Sequence, residues 1–204
     1  MPLALLLFDE DHVYQNHFDI THNVNDIKKA DLVVFPGGGD WSPGLYRELP
    51  HPSTSFSYST DFRQFSVAKE AMRLGKKMAG HCRGAQLMCI LNGDKLVQHV
   101  TGHFTTHGIV TNKGDRLKVN SIHHQMMLPT KDYDLLAWSE HNISSAYEST
   151  NRFGAIECLK VEKEPEAVWF SKIKGLAVQW HPEWMQVESE GYKYYQELIK
   201  EFLL

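Results

Sequence analysis

A turn between a strand and a helix constrains this chain more than any other feature. Met78 and Ala79 run into Gly80-His81-Cys82-Arg83-Gly84, and a helix-like stretch, Ala85 to Leu91, follows at once. A residue at such a turn sits in a strained backbone conformation at the carboxyl edge of a sheet. Its neighbours two positions away must be small, because strand and helix nearly touch there. Gly80-x-Cys82-x-Gly84 has the form of a nucleophile elbow with cysteine in place of serine. The location predicts a lowered thiol pKa, since unpaired N–H groups and the positive end of the helix dipole face it and Arg83 adds charge. The plainer alternative is a structural cysteine in a tight turn, and the flanking glycines weigh against it.

The pattern around the turn sets the fold class. Leu3 to Phe8 is a continuous apolar run of strand length, as a strand buried on both faces requires. Leu32 to Phe35 repeats it and stops at Pro36-Gly37-Gly38-Gly39-Asp40. Asp61 to Leu74 reads as a helix with Phe62, Phe65, Ala68 and Met72 on one side and Gly75 at its C-terminal cap. Lys77 to Ala79 is then a short strand and Arg83 to Leu91 a helix. This alternation predicts an α/β fold with a mostly parallel central sheet and helices on both faces. The second half adds short β runs at 117–119, 135–138, 154–159, 167–170 and 176–179, which predict extra antiparallel strands. An amphipathic helix from about Ser189 closes the chain, and residues 50–60 read as a surface loop near the site.

Composition narrows the class. The 204 residues suit one domain spanning 1–204, and a net charge of −4 carries no nucleic-acid footprint. No apolar run approaches the ~20 residues of a membrane span, and the first residues read as a strand and not a signal peptide. Three cysteines, Cys82, Cys89 and Cys158, are too few for a disulfide framework, so a reducing cytoplasm is expected. Of twelve histidines, His99, His103 and His107 recur every four residues, a spacing that chelates metal on a helix. Gly102, Gly108 and the threonines between argue against a helix there, so neither metal nor cofactor is expected.

A thiol nucleophile needs a base. Residues 176–184 carry a buried strand that ends at His181-Pro182-Glu183. Pro182 is expected to hold its neighbours extended, so that His181 and Glu183 project to the same side, imidazole as base and carboxylate as orienter. The order cysteine, histidine, glutamate differs from that of the α/β-hydrolases.

At these residues the chain resembles the class I glutamine amidotransferase superfamily, and within it the peptidase C26 type that includes γ-glutamyl-γ-aminobutyrate hydrolase. Four blocks are similar in order: the glycine turn and its continuation at 36–50, the cysteine block at 80–88, Val-Asn-Ser-Ile-His-His-Gln at 119–125, and Val-Gln-Trp-His-Pro-Glu-Trp at 178–184. The resemblance implies a flavodoxin-like fold, Cys82 as nucleophile, His181 as base and Glu183 as orienter. It implies an oxyanion hole from the N–H of Arg83 and one from Gly37 or Gly38, the register staying open. It also implies Gln86, His123, His124 and Gln125 as substrate-binding residues. Position 81 departs, with histidine where the family usually has an apolar residue. The implied reaction is hydrolysis of a small γ-glutamyl amide through a thioester, with Trp41, Tyr46 and Trp184 walling the pocket. The alternative is a glutaminase subunit feeding ammonia from glutamine to a synthetase partner.

Overall fold

The computed structural model describes all 204 residues. Its strands are β1 (Leu3–Leu6), β2 (Asp19–Thr21), β3 (Leu32–Phe35), β4 (Lys77–His81), β5 (Lys95–Val97), β6 (His99–Val100), β7 (His107–Thr111), β8 (Arg116–Val119), β9 (Met126–Leu128), β10 (Asp134–Ser139), β11 (Tyr147–Thr150), β12 (Ile156–Cys158), β13 (Pro165–Phe170) and β14 (Gly175–Val178). The α-helices are α1 (Tyr58–Arg73), α2 (Arg83–Leu91) and α3 (Glu190–Leu198). Nine strands form the main sheet in the order β2-β1-β3-β4-β14-β13-β10-β7-β8. From β2 to β14 every pairing is parallel, and from β14 to β8 every pairing is antiparallel. The parallel strands were expected; the antiparallel share is larger than the sequence suggested and makes up the far half of the sheet.

Alternation along the parallel strands divides the core in two. Leu5, Val33, Phe35, Met78 and Ala177 face Ala68 and Ala71 of α1 and Ala85, Leu87 and Met88 of α2. Ala4, Leu6, Leu32, Val34, Leu176 and Val178 face Tyr192, Tyr195 and Leu198 of α3. Burial on both faces is why these strands are continuous apolar runs instead of alternating ones. Helix α1 departs from its expected face: Asp61, Ala68 and Ala71 are buried, whereas Phe62 is exposed. Small residues let α1 lie close to the sheet, and the larger Phe62 is left outside. Helix α3 starts where Ser189 caps it, its side chain accepting from the Tyr192 N–H. No helix is long and apolar enough to cross a membrane.

Strand register aligns three turns at one end of the sheet. Phe35 pairs with Gly80, and Val178 pairs with His81, in parallel. Strands β3, β4 and β14 therefore end side by side, and their next residues, the glycine turn, Cys82 and His181, emerge at one carboxyl edge. Ligands of open α/β sheets bind at such edges.

Candidate active site

Cys82 stands between β4 and α2 with φ +49° and ψ −104°, a strained conformation for a residue with a side chain. Its N–H donates to the Val178 carbonyl (2.8 Å), tying the turn to β14. A Cβ on Gly80 would lie 2.2 Å from the carbonyl of Gly84, and one on Gly84 would lie 2.2 Å from the Phe35 oxygen. The two glycines are therefore required by close approach of backbone to backbone, as the spacing suggested.

The electrostatics of the thiol differ from expectation. Burial pushes the Cys82 thiol up to about 12, and the Glu183 charge adds to this; the Arg83 N–H and the Gln179 side chain oppose it without prevailing. The Arg83 guanidinium does not supply the expected charge. It turns away, pairs with Asp61 (2.5 Å), bonds Gln64 and stacks 3.6 Å over the Trp41 ring. Trp41 Nε1 in turn donates to the Arg83 carbonyl (2.7 Å), and Asp61 accepts from the Ser42 N–H (2.9 Å). Arg83 thus anchors the first turn of α2, while its backbone N–H reaches the sulfur.

His181 Nδ1 lies 2.8 Å from Glu183 Oε1. An ionised carboxylate only accepts, so Nδ1 carries the proton and the lone pair falls on Nε2. That Nε2 is buried with no hydrogen-bond partner. Pro182 does not extend the strand, contrary to expectation; Pro182–Trp184 is a 3₁₀ turn that folds Glu183 back beneath the imidazole. Asn120 holds the histidine from outside, accepting from its N–H and donating to its carbonyl, both at 2.9 Å. Trp184 stacks on the ring at 3.9 Å, and a Cβ on Gly37 would strike its Cε1 at 2.5 Å.

The unusual His81 proves to belong to this network. It is fully buried, its Nδ1 is 2.9 Å from Glu183 Oε2, and its Nε2 meets the hydroxyls of Tyr14 (2.8 Å) and Tyr195 (3.0 Å). The contact with Glu183 is out of line for a straight hydrogen bond and is chiefly electrostatic. Burial alone would raise the Glu183 carboxyl; His81 and His181 outweigh it and hold the group well below the usual carboxylate range. The only hint in the sequence was a polar side chain at the end of a buried strand.

A cavity of about 300 Å³ opens at the elbow, lined among others by Gly38, Cys82, Gln86, His123, His124 and Gln125. Gln86 Nε2 donates to the Gln125 carbonyl (2.9 Å), joining α2 to the opposite wall. His124 pairs with Asp40 (2.9 Å), which raises its pKa. Asp40 also accepts from the Ser55 N–H (2.8 Å), so the 50–60 segment does border the cavity. Trp41 and Tyr46 do not wall it: Trp41 is buried under Arg83 and Tyr46 packs in the core beside α2. Phe104 and Ile122, 65% and 52% exposed, take that place; Ile122 lies within the 119–125 block, whereas nothing in its local sequence marked Phe104.

The histidine row is indeed not helical. His99 and His107 lie in strands β6 and β7, and His99 stacks on His51 instead of on its row-mates. His103 joins His123 and Glu166 in a buried cluster that the spacing did not foreshadow.

The profile of the family described as Peptidase C26 matches residues 14–183. The chain belongs to the Peptidase C26 family. Among relatives, Protein NtpR of Enterococcus hirae is 25% identical over 182 residues, 77% of this chain and 68% of that one. Rv2859c of Mycobacterium tuberculosis, named as a candidate glutamine amidotransferase, is 28% identical over 74% of this chain; the match spans about half of that protein, 50%. Solved structures share the fold of this Peptidase C26 chain. A glutamine amidotransferase of Thermotoga maritima has a TM-score of 0.60 at 14% identity, covering 98% of this chain and 84% of that one. The glutaminase domain of Trypanosoma brucei CTPS, with bound acivicin, has 0.57 at 13%, covering 98% and 92%.

Proposed function

We propose that this Peptidase C26 chain hydrolyses a γ-glutamyl amide through a thioester on Cys82. The observation that carries the reading is the strained cysteine at the β4–α2 elbow, with the free Nε2 of a carboxylate-oriented histidine presented from the neighbouring strand β14. The thiol proton passes to His181 Nε2 as sulfur attacks the amide carbonyl carbon. Because burial keeps Cys82 a thiol, this transfer accompanies attack and does not precede it. The oxyanion is met by the Arg83 N–H and a second donor. Gly38 suits that role better than Gly37, since it lines the cavity while Gly37 packs against the imidazole. Collapse breaks the C–N bond, the amine leaves with the proton from His181, and the same base then takes a proton from water. Hydroxide attack on the thioester releases glutamate, and the proton returns to sulfur.

Gln86, His123, His124 and Gln125 bind the glutamyl part, and the exposed Phe104 and Ile122 at the cavity mouth favour a leaving amine larger than ammonia. The second reading, a glutaminase subunit acting with a synthetase, draws on the glutaminase domain among the fold neighbours. The experiment compares glutamine with γ-glutamyl derivatives of primary amines, by glutamate release, for the purified protein and with cell lysate added. Partner-independent cleavage of a bulkier amide is expected. Glutamine-only cleavage that rises strongly with lysate would favour the subunit, and full activity in Cys82→Ala would sink both readings.

A further inference from the structure

Beside the cavity, three segments distant in sequence bring unpartnered polar atoms together in the interior. His103 comes from the link between β6 and β7, His123 from the link between β8 and β9, and Glu166 from β13. Their exposures are 0%, 6% and 1%. One donor atom from each can be chosen so that all lie within 4.8 Å of one another. Both ring nitrogens of His103, both of His123 and Oε2 of Glu166 lack any hydrogen-bond partner. Leaving such an atom unpaired costs about 1–3 kcal/mol, and three of the five, one from each residue, converge where a single occupant can meet them.

The surroundings fit a cation better than a neutral filler. Glu166 Oε1 is already engaged, 2.9 Å from His107 Nε2 and 3.4 Å from Ser139 Oγ, which leaves Oε2 free and the carboxylate oriented. A carboxylate held by a histidine in this way is the outer-shell support that metal ligands usually have. His103 Nε2 lies 3.3 Å from Glu164 Oε1 without hydrogen-bond alignment. Glu164 is itself held ionised by the Ile143 and Ser144 N–H groups and the Tyr147 hydroxyl. With His107 neutral beside Glu166, three neutral imidazoles, two carboxylates and a divalent ion sum to zero charge, as burial demands.

We infer that His103, His123 and Glu166 form a binding site for a divalent first-row transition ion, with Zn²⁺ as its type. Two imidazoles and one carboxylate suit such an ion better than Mg²⁺ or Ca²⁺, which prefer oxygen. Tetrahedral coordination at zinc–ligand lengths near 2.1 Å sets donors about 3.4 Å apart, so the three side chains draw together by roughly 1 Å on binding. The ion pins three chain segments, including the His123 wall of the Cys82 cavity, which the His123 N–H to His103 carbonyl bond (3.0 Å) already stitches. The site shares His123 with the wall of the Cys82 cavity, and metal binding is read without reference to turnover.

The test uses the full chain without a histidine tag, stripped with chelator and dialysed against Zn²⁺ or Co²⁺. One equivalent per chain is expected by elemental analysis, with a rise in the melting temperature and a visible Co²⁺ spectrum free of thiolate charge transfer. Glu166→Gln and His123→Gln should weaken binding by about 100-fold or more, since even outer-shell losses cost 10–100-fold. Cys82→Ser should keep the Co²⁺ spectrum. Absence of stoichiometric binding by the wild-type chain overturns the inference whether or not any variant folds. So does binding that survives both ligand substitutions, or a thiolate band lost in Cys82→Ser.

Discussion

The demand for glycine at position 80 yields the sharpest test of the elbow. In Gly80→Ala the new Cβ would lie 2.2 Å from the carbonyl carbon and oxygen of Gly84 and 2.6 Å from the Ala85 nitrogen. Ordinary contact begins at 3.4 Å, so the shortfall is about 1.2 Å. All three atoms are main chain in the first turn of α2, and no rotamer change relieves the overlap. Helix and strand must separate by roughly 1 Å, carrying Cys82 and the Arg83 N–H with them. Overpacking of this kind costs about 3 kcal/mol, or about 6–12 °C in melting temperature for a chain of this size. A misplacement of about 1 Å at a reacting group costs about 100-fold in kcat. Gly114→Ala is the control: φ is +92° there, but nothing lies within 4 Å. It should lose about 1–2 kcal/mol through backbone strain and leave kcat unaltered. Circular dichroism melts and kcat for both variants decide the matter. A folded Gly80→Ala chain with kcat within about twofold of wild type would refute the reasoning.

Three further outcomes are expected. Iodoacetamide should reach the exposed Cys158 as well as Cys82, so the Cys82 rate is followed by peptide mapping; it should rise with pH through the alkaline range because burial holds the thiol up to about 12, and slow at least about tenfold at pH 7 in His181→Ala; a Cys82 rate already flat at pH 6 would contradict this. The depressed folded pKa of Glu183 contributes stability above about pH 4.3, the value of the unfolded carboxyl, and that contribution is lost as pH falls towards the folded value. Glu183→Gln should therefore flatten the acid limb of the stability curve and lower kcat by about 10²–10⁴, read from melts across pH and steady-state rates. His81→Ile should cost about 1–3 kcal/mol by removing the cation-capable neighbour of Glu183 Oε2 and the partner of the Tyr14 and Tyr195 hydroxyls, and a melting temperature equal to wild type would show that these contacts together contribute nothing.

What the sequence determined by itself is local. Gly80-x-Cys82-x-Gly84 encodes the elbow because a tight strand-to-helix turn leaves no room for side chains at either flank, wherever the rest of the chain goes. The apolar runs of β1, β3 and β14 announced strands buried on both faces, and Ser189 and Gly75 marked helix ends, since periodicity and caps act within a few residues. Histidine and glutamate two residues apart could be paired in advance, although the 3₁₀ turn that joins them could not. Sheet order decided the rest. The parallel pairing of β4 with β14 sets Cys82 and His181 on one edge across about a hundred residues of intervening chain. It also lays His81 against Glu183, where an isolated polar residue in a strand gave no sign of a partner. Burial reversed the expected direction of the thiol pKa, because desolvation scales with the surrounding packing and outweighs a helix dipole. The meeting of His103, His123 and Glu166 depends on three segments converging through β7, β8 and β13, and no spacing along the chain encodes such a convergence.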